Sequence, residues 1–188
     1  MKELKQRKSK YADHNRLVKT GNEDKLFDIL ENCSTPFLLI LDQIQDPHNL
    51  GACLRSANAA GVDAVIAPKD RSAGITDVVI NIASGAAEHT PFIQVTNLAR
   101  IMDQLKEKNI WLIGTADDAS ESIFDSNLIG SIALVMGSEG KGLRRLTKER
   151  CDKLVKIPMD ASSKVECLNV SVATGVGLFE IVRQNSKK

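Results

Sequence analysis

Beyond Pro36 the chain alternates short apolar runs with longer amphipathic ones. The runs at 37–41, 64–67, 92–95, 110–114, 132–136 and 154–157 are rich in Ile, Leu and Val, have strand length and mostly lack an alternating polar face. The stretches between them, at 50–60, 75–84, 98–108, 143–151 and 168–184, predict helices, with Gly61 ending the first and Thr96 or Asn97 capping the third. Strands apolar on both faces, alternating with helices, predict an α/β fold: a mostly parallel sheet with helices on both faces. No internal repeat interrupts the pattern.

Residues 1–32 differ in composition. Eight Lys/Arg and four Asp/Glu fall between Met1 and Lys25, where Leu4, Leu17 and Val18 are the only aliphatics larger than alanine. This predicts a basic arm or linker remnant over 1–32 ahead of a single domain over 33–188. The net charge of +1 means that a nucleic-acid surface must come from local clustering. The four cysteines, Cys33, Cys53, Cys151 and Cys167, form no C-x-x-C pair, so neither a disulfide framework nor a metal site is expected, and a reducing cytoplasmic setting fits. The uncharged stretch 167–179 is shorter than the roughly 20 residues a bilayer span needs, and no apolar leader follows the charged opening.

In a parallel sheet, ligands sit at the carboxyl ends of the strands, which draws attention to three loops. The first, D-Q-I-Q-D-P-H-N-L-G at 42–51, leads into the helix carrying Arg55; Asn49 is placed to cap that helix, and Gly51 allows close backbone approach. By itself this loop reads as a capped helix with a surface arginine. The second, M-G-S-E-G-K-G-L at 136–143, sets Glu139 among three glycines whose backbone N–H groups can converge on a ligand. Its spacing matches neither the dinucleotide fingerprint nor the P-loop. In the third, 157–173, polar Asn169 and Ser171 open an otherwise apolar helix, and capping explains either one more easily than both.

Together N-L-G-A-C-L-R, L-V-M-G-S-E-G and I-P-M…L-N-V-S-V-A resemble the three ordered motifs of the SpoU/TrmH group of RNA ribose 2′-O-methyltransferases, in the SPOUT superfamily. The likeness covers about residues 36–184, and connecting segments are similar to the bacterial enzymes that methylate a guanosine ribose in 23S ribosomal RNA. It implies a C-terminal trefoil knot, S-adenosyl-L-methionine as cofactor, RNA, most simply ribosomal, as substrate, and a homodimer to which the last helix contributes. Neither knot nor cofactor follows from the residue pattern, since knots are rare and no glycine-rich turn follows the first strand. The resemblance puts Asn49, Arg55, Glu139 and Asn169 in the active site and Thr115, Gly137, Ile157 and Leu168 at the cofactor.

Two departures stand out. Cys167 replaces the serine usual in the third motif, and the loop after Met159 is longer and lacks a glycine found in relatives. Residues 1–32 also resemble the linker that follows a small RNA-binding domain in full-length ribosomal enzymes. Arginine is effectively always protonated, so Arg55 is expected to hold a phosphate and stabilise oxyanion character, with Glu139 and Asn169 ordering the loops and the arginine. Arg144, Arg145, Lys148 and Arg150, with Arg71 and the basic arm, are the expected phosphate contacts. The alternatives are a tRNA ribose methyltransferase and a non-catalytic RNA-binding assembly protein of the same fold.

Overall fold

The computed structural model describes Val18, residues 20–165 and residues 167–186. Seven strands form one sheet: β1 (Phe37–Asp42), β2 (Ala64–Pro68), β3 (Phe92–Val95), β4 (Trp111–Thr115), β5 (Glu121–Ser122), β6 (Ile132–Gly137) and β7 (Lys153–Lys156). Their order is β3-β2-β1-β6-β4-β7-β5, and every pairing is parallel. The expected α/β architecture is therefore present.

Alternate residues of each strand serve opposite faces. Leu39, Leu41, Val65, Leu134 and Met136 join one core, covered by α2 (Pro47–Ala60), α3 (Asp77–Ala83), α4 (Ala86–His89) and α7 (Val170–Asn185). Leu38, Ile40, Ile66, Ala133 and Val135 join the other, covered by α1 (Glu23–Glu31) and α5 (Leu98–Glu107). The short α6 (Arg145–Arg150) packs on α5. In α5 the buried Leu98, Ile101, Met102 and Leu105 form a single stripe at helical spacing, and burying side chains of this size contributes about 1.5–3 kcal/mol each. Asn97 caps this helix by accepting from Arg100 N.

The arm-or-linker expectation meets a different finding near its end. Gly21 exchanges backbone hydrogen bonds with the β3 segment, Asn22 caps α1, and Leu26 and Leu30 are buried. The apolar residues that anchor this helix follow the charged stretch that suggested an arm. Residues 1–17 and 19 lie outside the described residues. The helix expected at 75–84 is α3, at 77–83; it stops where Ser84 (φ 50°) and Gly85 (φ 90°) turn left-handed, and α4 follows as a separate short helix. Among the described residues no helix is long and apolar enough to cross a membrane.

Candidate active site at the carboxyl edge of the sheet

The loop after β1 enters α2 through Asp46, which accepts a hydrogen bond from His48 N at 2.9 Å and is followed by Pro47 in the first helical turn, where its missing N–H costs nothing. Asp46, not Asn49, is the cap. Asn49 lies inside the first turn, buried and free for another task. Gly51 does permit a close approach: a Cβ there would meet Ile82 Cβ at 2.7 Å and the Val79 carbonyl oxygen at 2.9 Å, so α3 lies directly against α2. Arg55 is exposed further along α2 and makes no hydrogen bond or ion pair among the described residues.

After β6 the chain folds back on itself. Ser138 and Gly142 exchange backbone hydrogen bonds of 3.1 and 2.9 Å, with Gly140 (φ 73°) and Gly142 (φ 64°) supplying left-handed conformations. A Cβ on Gly137 would meet Gly142 C at 2.1 Å, so no other residue fits there. The turn ends at Arg144, whose backbone N, Nε and guanidinium all donate to Asp42, the last residue of β1, whose side chain is fully buried. Asp42 also stands in register with Gly137. Both ends of the turn are thus tied to the end of β1, an arrangement the sequence did not disclose.

Asn169 joins the three loops. Its Nδ2 donates to Asn49 Oδ1 at 3.0 Å and to Glu139 Oε1 at 2.5 Å, while its Oδ1 accepts from Ser171 N and Ser171 Oγ. Asn169 is itself the N-cap of α7, and Ser171 bonds to that cap, so capping does account for both polar residues. The structure brings Asn49, Glu139 and Asn169 together; it leaves Arg55 without a bond to any of them. Cys53, between Asn49 and Arg55 on α2, points to Thr174 Oγ1, and burial pushes its thiol up to about 11.

Beside this network a cleft of about 420 Å³ opens over the ends of β4, β6 and β7. Thr115, Gly137, Ile157 and Leu168 all line it, together with Glu139. The Thr115 hydroxyl donates to the Val135 carbonyl at 3.3 Å, which fixes it at the β4–β6 junction. Asp117, Asp118, Lys148 and Met159 also line the cleft and were not expected there. Lys148 Nζ lies 2.7 Å from both Asp118 carboxylate oxygens, and this ammonium holds the Asp118 carboxyl below the usual range. Cys167 is exposed on the cleft wall.

Each cation of the basic cluster expected on the helix after this turn faces a carboxylate. Arg144 pairs with Asp42, Arg145 with Glu149, Lys148 with Asp118 and Arg150 with Asp103. Carboxylates distant in sequence supply three of these partners. Arg71, in the loop after β2, is exposed and makes no hydrogen bond or ion pair among the described residues.

Comparison with known proteins agrees with this geometry. The curated 23S rRNA (guanosine-2′-O-)-methyltransferase RlmB of Escherichia coli K12 is 58% identical over 172 residues, covering 90% of this chain and 70% of that protein. Its counterpart from Haemophilus ducreyi is 62% identical over 164 residues, covering 87% of this chain and 66% of that protein. The chain thus spans about two thirds of the length of these relatives. Among solved structures, the SpoU methyltransferase AviRb from Streptomyces viridochromogenes in complex with AdoMet superposes with a TM-score of 0.79 at 25% identity, over 90% of this chain and 67% of that one. The TrmH/SpoU tRNA modifying enzyme of A. aeolicus gives 0.74 at 25% identity, over 87% and 82%. The SpoU rRNA Methylase family model matches residues 36–179, a span that runs from β1 through the glycine turn into α7 and contains every residue of the network and the cleft. The chain therefore belongs to the SpoU rRNA methylase family.

Proposed function

We propose that this chain is a methyltransferase that moves a methyl group from S-adenosyl-L-methionine to a ribose 2′-hydroxyl of RNA, the target being a guanosine of 23S ribosomal RNA. The single observation that carries this is the placement of the Asn49–Glu139–Asn169 network against a cleft lined by Thr115, Gly137, Ile157 and Leu168. The RlmB relatives support the guanosine and ribosomal assignment. The AdoMet-bound AviRb structure supports the cofactor.

The cleft suits that cofactor on its own terms. It offers apolar walls from Ile157, Leu168 and Ala173 and polar groups from Asp117 and Ser138, matching a ligand with an adenine ring and a charged amino-acid end. Thr115, Gly137, Ile157 and Leu168 hold it, and when bound it supplies an electrophilic sulfonium methyl. The chain must then hold the acceptor oxygen in line and stabilise its negative charge as the hydroxyl proton passes to solvent water. Arg55, exposed and unpartnered among the described residues, holds the phosphate next to the target ribose and stabilises the oxyanion as a permanent cation, not as a base. Asn169 keeps the glycine turn and α2 in register, through Glu139 on one side and Asn49 on the other.

The wider reading follows from the same frame. Residues 33–188, with the segment from Gly21 and α1 packed on them, form the catalytic domain, working in the cytoplasm where ribosomal RNA is available. The last helix joins a homodimer interface, supported by Val172 and Phe179, which stay about half exposed on α7 although its other face is buried. A knotted C-terminal part is supported by the insertion of β7 between β4 and β5, and by Gln184 and Asn185, which hydrogen-bond residues 126–130 ahead of β6. The test is incubation with methyl-labelled S-adenosylmethionine and unmethylated 23S ribosomal RNA, followed by mapping. Label at one guanosine is expected; label on tRNA alone favours the alternative substrate.

A further inference from the structure

Resting on the functional reading above, we propose that a single-stranded RNA segment docks across the β1–β2 half of the carboxyl edge, with Lys69 and Arg71 as its phosphate contacts, and not along α6. The strand order divides this edge. The cofactor cleft occupies the ends of β6, β4 and β7, whereas the loop after β2 lies on the other side of β1.

That loop is fixed beside α2, the helix of Asn49 and Arg55. Lys69 N donates to Val95 O at 2.9 Å and Ala73 N to Ile44 O at 2.8 Å, which ties it to β3 and to the loop after β1. Ala73 and Ile75 pack on the core cluster that contains Leu50, and α3, which follows, lies against Gly51. Within this anchored loop Arg71 has φ 56°, a left-handed conformation that is unfavourable for a residue with a long side chain. Arg71 is exposed and makes no hydrogen bond or ion pair among the described residues, so the domain gains no internal bond from its guanidinium. Strain kept at a solvent-facing cation beside the site is the pattern of a ligand contact. Lys69 is likewise exposed and unpaired among the described residues.

The surrounding charges favour discrete contacts over a broad positive field. Of the carboxylates on these segments Asp46 is engaged by His48, Glu139 by Asn169, and Asp77 also has a partner, while Asp70 is exposed between the two cations. On α6, by contrast, Arg145, Lys148 and Arg150 already face carboxylates, as does Arg144 just before it. Docking on the β2 loop puts the RNA chain on the β1–β2 side of the cleft, beside the helix that carries Arg55.

The test is the anisotropy of a fluorescein-labelled single-stranded RNA titrated with the full chain at several salt concentrations. Arg71→Asn removes the charge with a residue that tolerates the left-handed conformation, so a melting temperature at or above the parent's is expected. RNA affinity should nonetheless fall about 3–10-fold, and the slope of log affinity against log salt should shrink by about 0.7, the share of one phosphate contact on a single strand. Lys69→Gln should act similarly. Arg145→Gln, at the most exposed of the α6 cations, should leave affinity within about twofold, because its charge is already paired. Unchanged binding in Arg71→Asn and Lys69→Gln overturns this docking face, as does a larger loss in Arg145→Gln. Failure of the parent chain to bind RNA at low salt overturns the docking face and the RNA assignment together.

Discussion

Asp42 and Arg144 stand 102 residues apart in the chain and meet at the carboxyl edge, where Arg144 Nε donates to Asp42 Oδ1 at 2.7 Å and its backbone N to Oδ2 at 3.1 Å. Asp42 is 1% exposed, so its charge depends on this partner. Because the same residue is in register with Gly137, the pair closes the turn that carries Glu139 and forms one wall of the cleft.

Asp42→Asn should therefore loosen the turn. Breaking a hydrogen-bonded pair of this kind costs about 2 kcal/mol, which for a chain of this size lowers the melting temperature by about 4–8 °C. Cofactor affinity, read by calorimetry, should fall about tenfold, or 1.4 kcal/mol. Arg144→Lys keeps the charge but not the fork and should give a smaller loss in both. Parental cofactor affinity in Asp42→Asn would show that the turn holds its shape without the pair.

Gly137→Ala tests the same turn sterically. The added Cβ would lie 2.1 Å from Gly142 C and 2.3 Å from Leu143 N, both backbone atoms that cannot rotate away. Cofactor binding should be lost below the detection limit of calorimetry while the far-UV circular dichroism spectrum stays that of the parent. An alanine variant that binds normally would contradict the placement of this turn.

Arg55→Ala should abolish methyl transfer and leave cofactor affinity within a few-fold, since Arg55 is absent from the cleft lining. Its melting temperature should stay within about 2 °C of the parent, because an exposed side chain with no partner among the described residues contributes little to stability. A large stability loss would make Arg55 a structural residue.

Thiol reactivity reports the cleft directly. Burial pushes Cys53 up to about 11 and Cys151 up to about 12, and it also raises Cys33, so at neutral pH these three stay protonated and unreactive. Cys167 is exposed on the cleft wall. Iodoacetamide at neutral pH should modify Cys167 first, and saturating S-adenosylmethionine should slow that reaction several-fold. Raising the pH toward 11 should bring in Cys53 only as its own ionisation begins. Equal labelling with and without cofactor would place the ligand away from Cys167.

What the sequence disclosed follows the range of the forces involved. Strands such as Phe37–Asp42 and Ile132–Gly137 are legible because burial on both faces leaves uninterrupted apolar runs, and Gly61 is legible because a left-handed cap requires it. Local pattern points to Asn49 as the cap because Asn caps well; Asp46 takes that place with Pro47 behind it, leaving Asn49 for Asn169. The Asp42–Arg144 pair and the carboxylate partners of Lys148 and Arg150 are contacts between distant segments, so a local scan reads only the basic run on α6. Helix α1 is not legible in the sequence because its buried Leu26 and Leu30 sit at the end of a strongly charged stretch, where tertiary packing against β3 decides the outcome. The three motifs named the site residues by resemblance, but only folding shows that Asn169 is the residue on which the loops converge.

The most direct measurement is the chemical position of the transferred methyl group. After incubation of unmethylated 23S ribosomal RNA with the chain and methyl-labelled S-adenosylmethionine, the RNA is hydrolysed with alkali, which cleaves only next to a free 2′-hydroxyl. The expected result is label in an alkali-resistant dinucleotide bearing 2′-O-methylguanosine, absent with Arg55→Ala. Label recovered in ordinary mononucleotides would mean methylation of a base, and would contradict a site built to present a ribose oxygen.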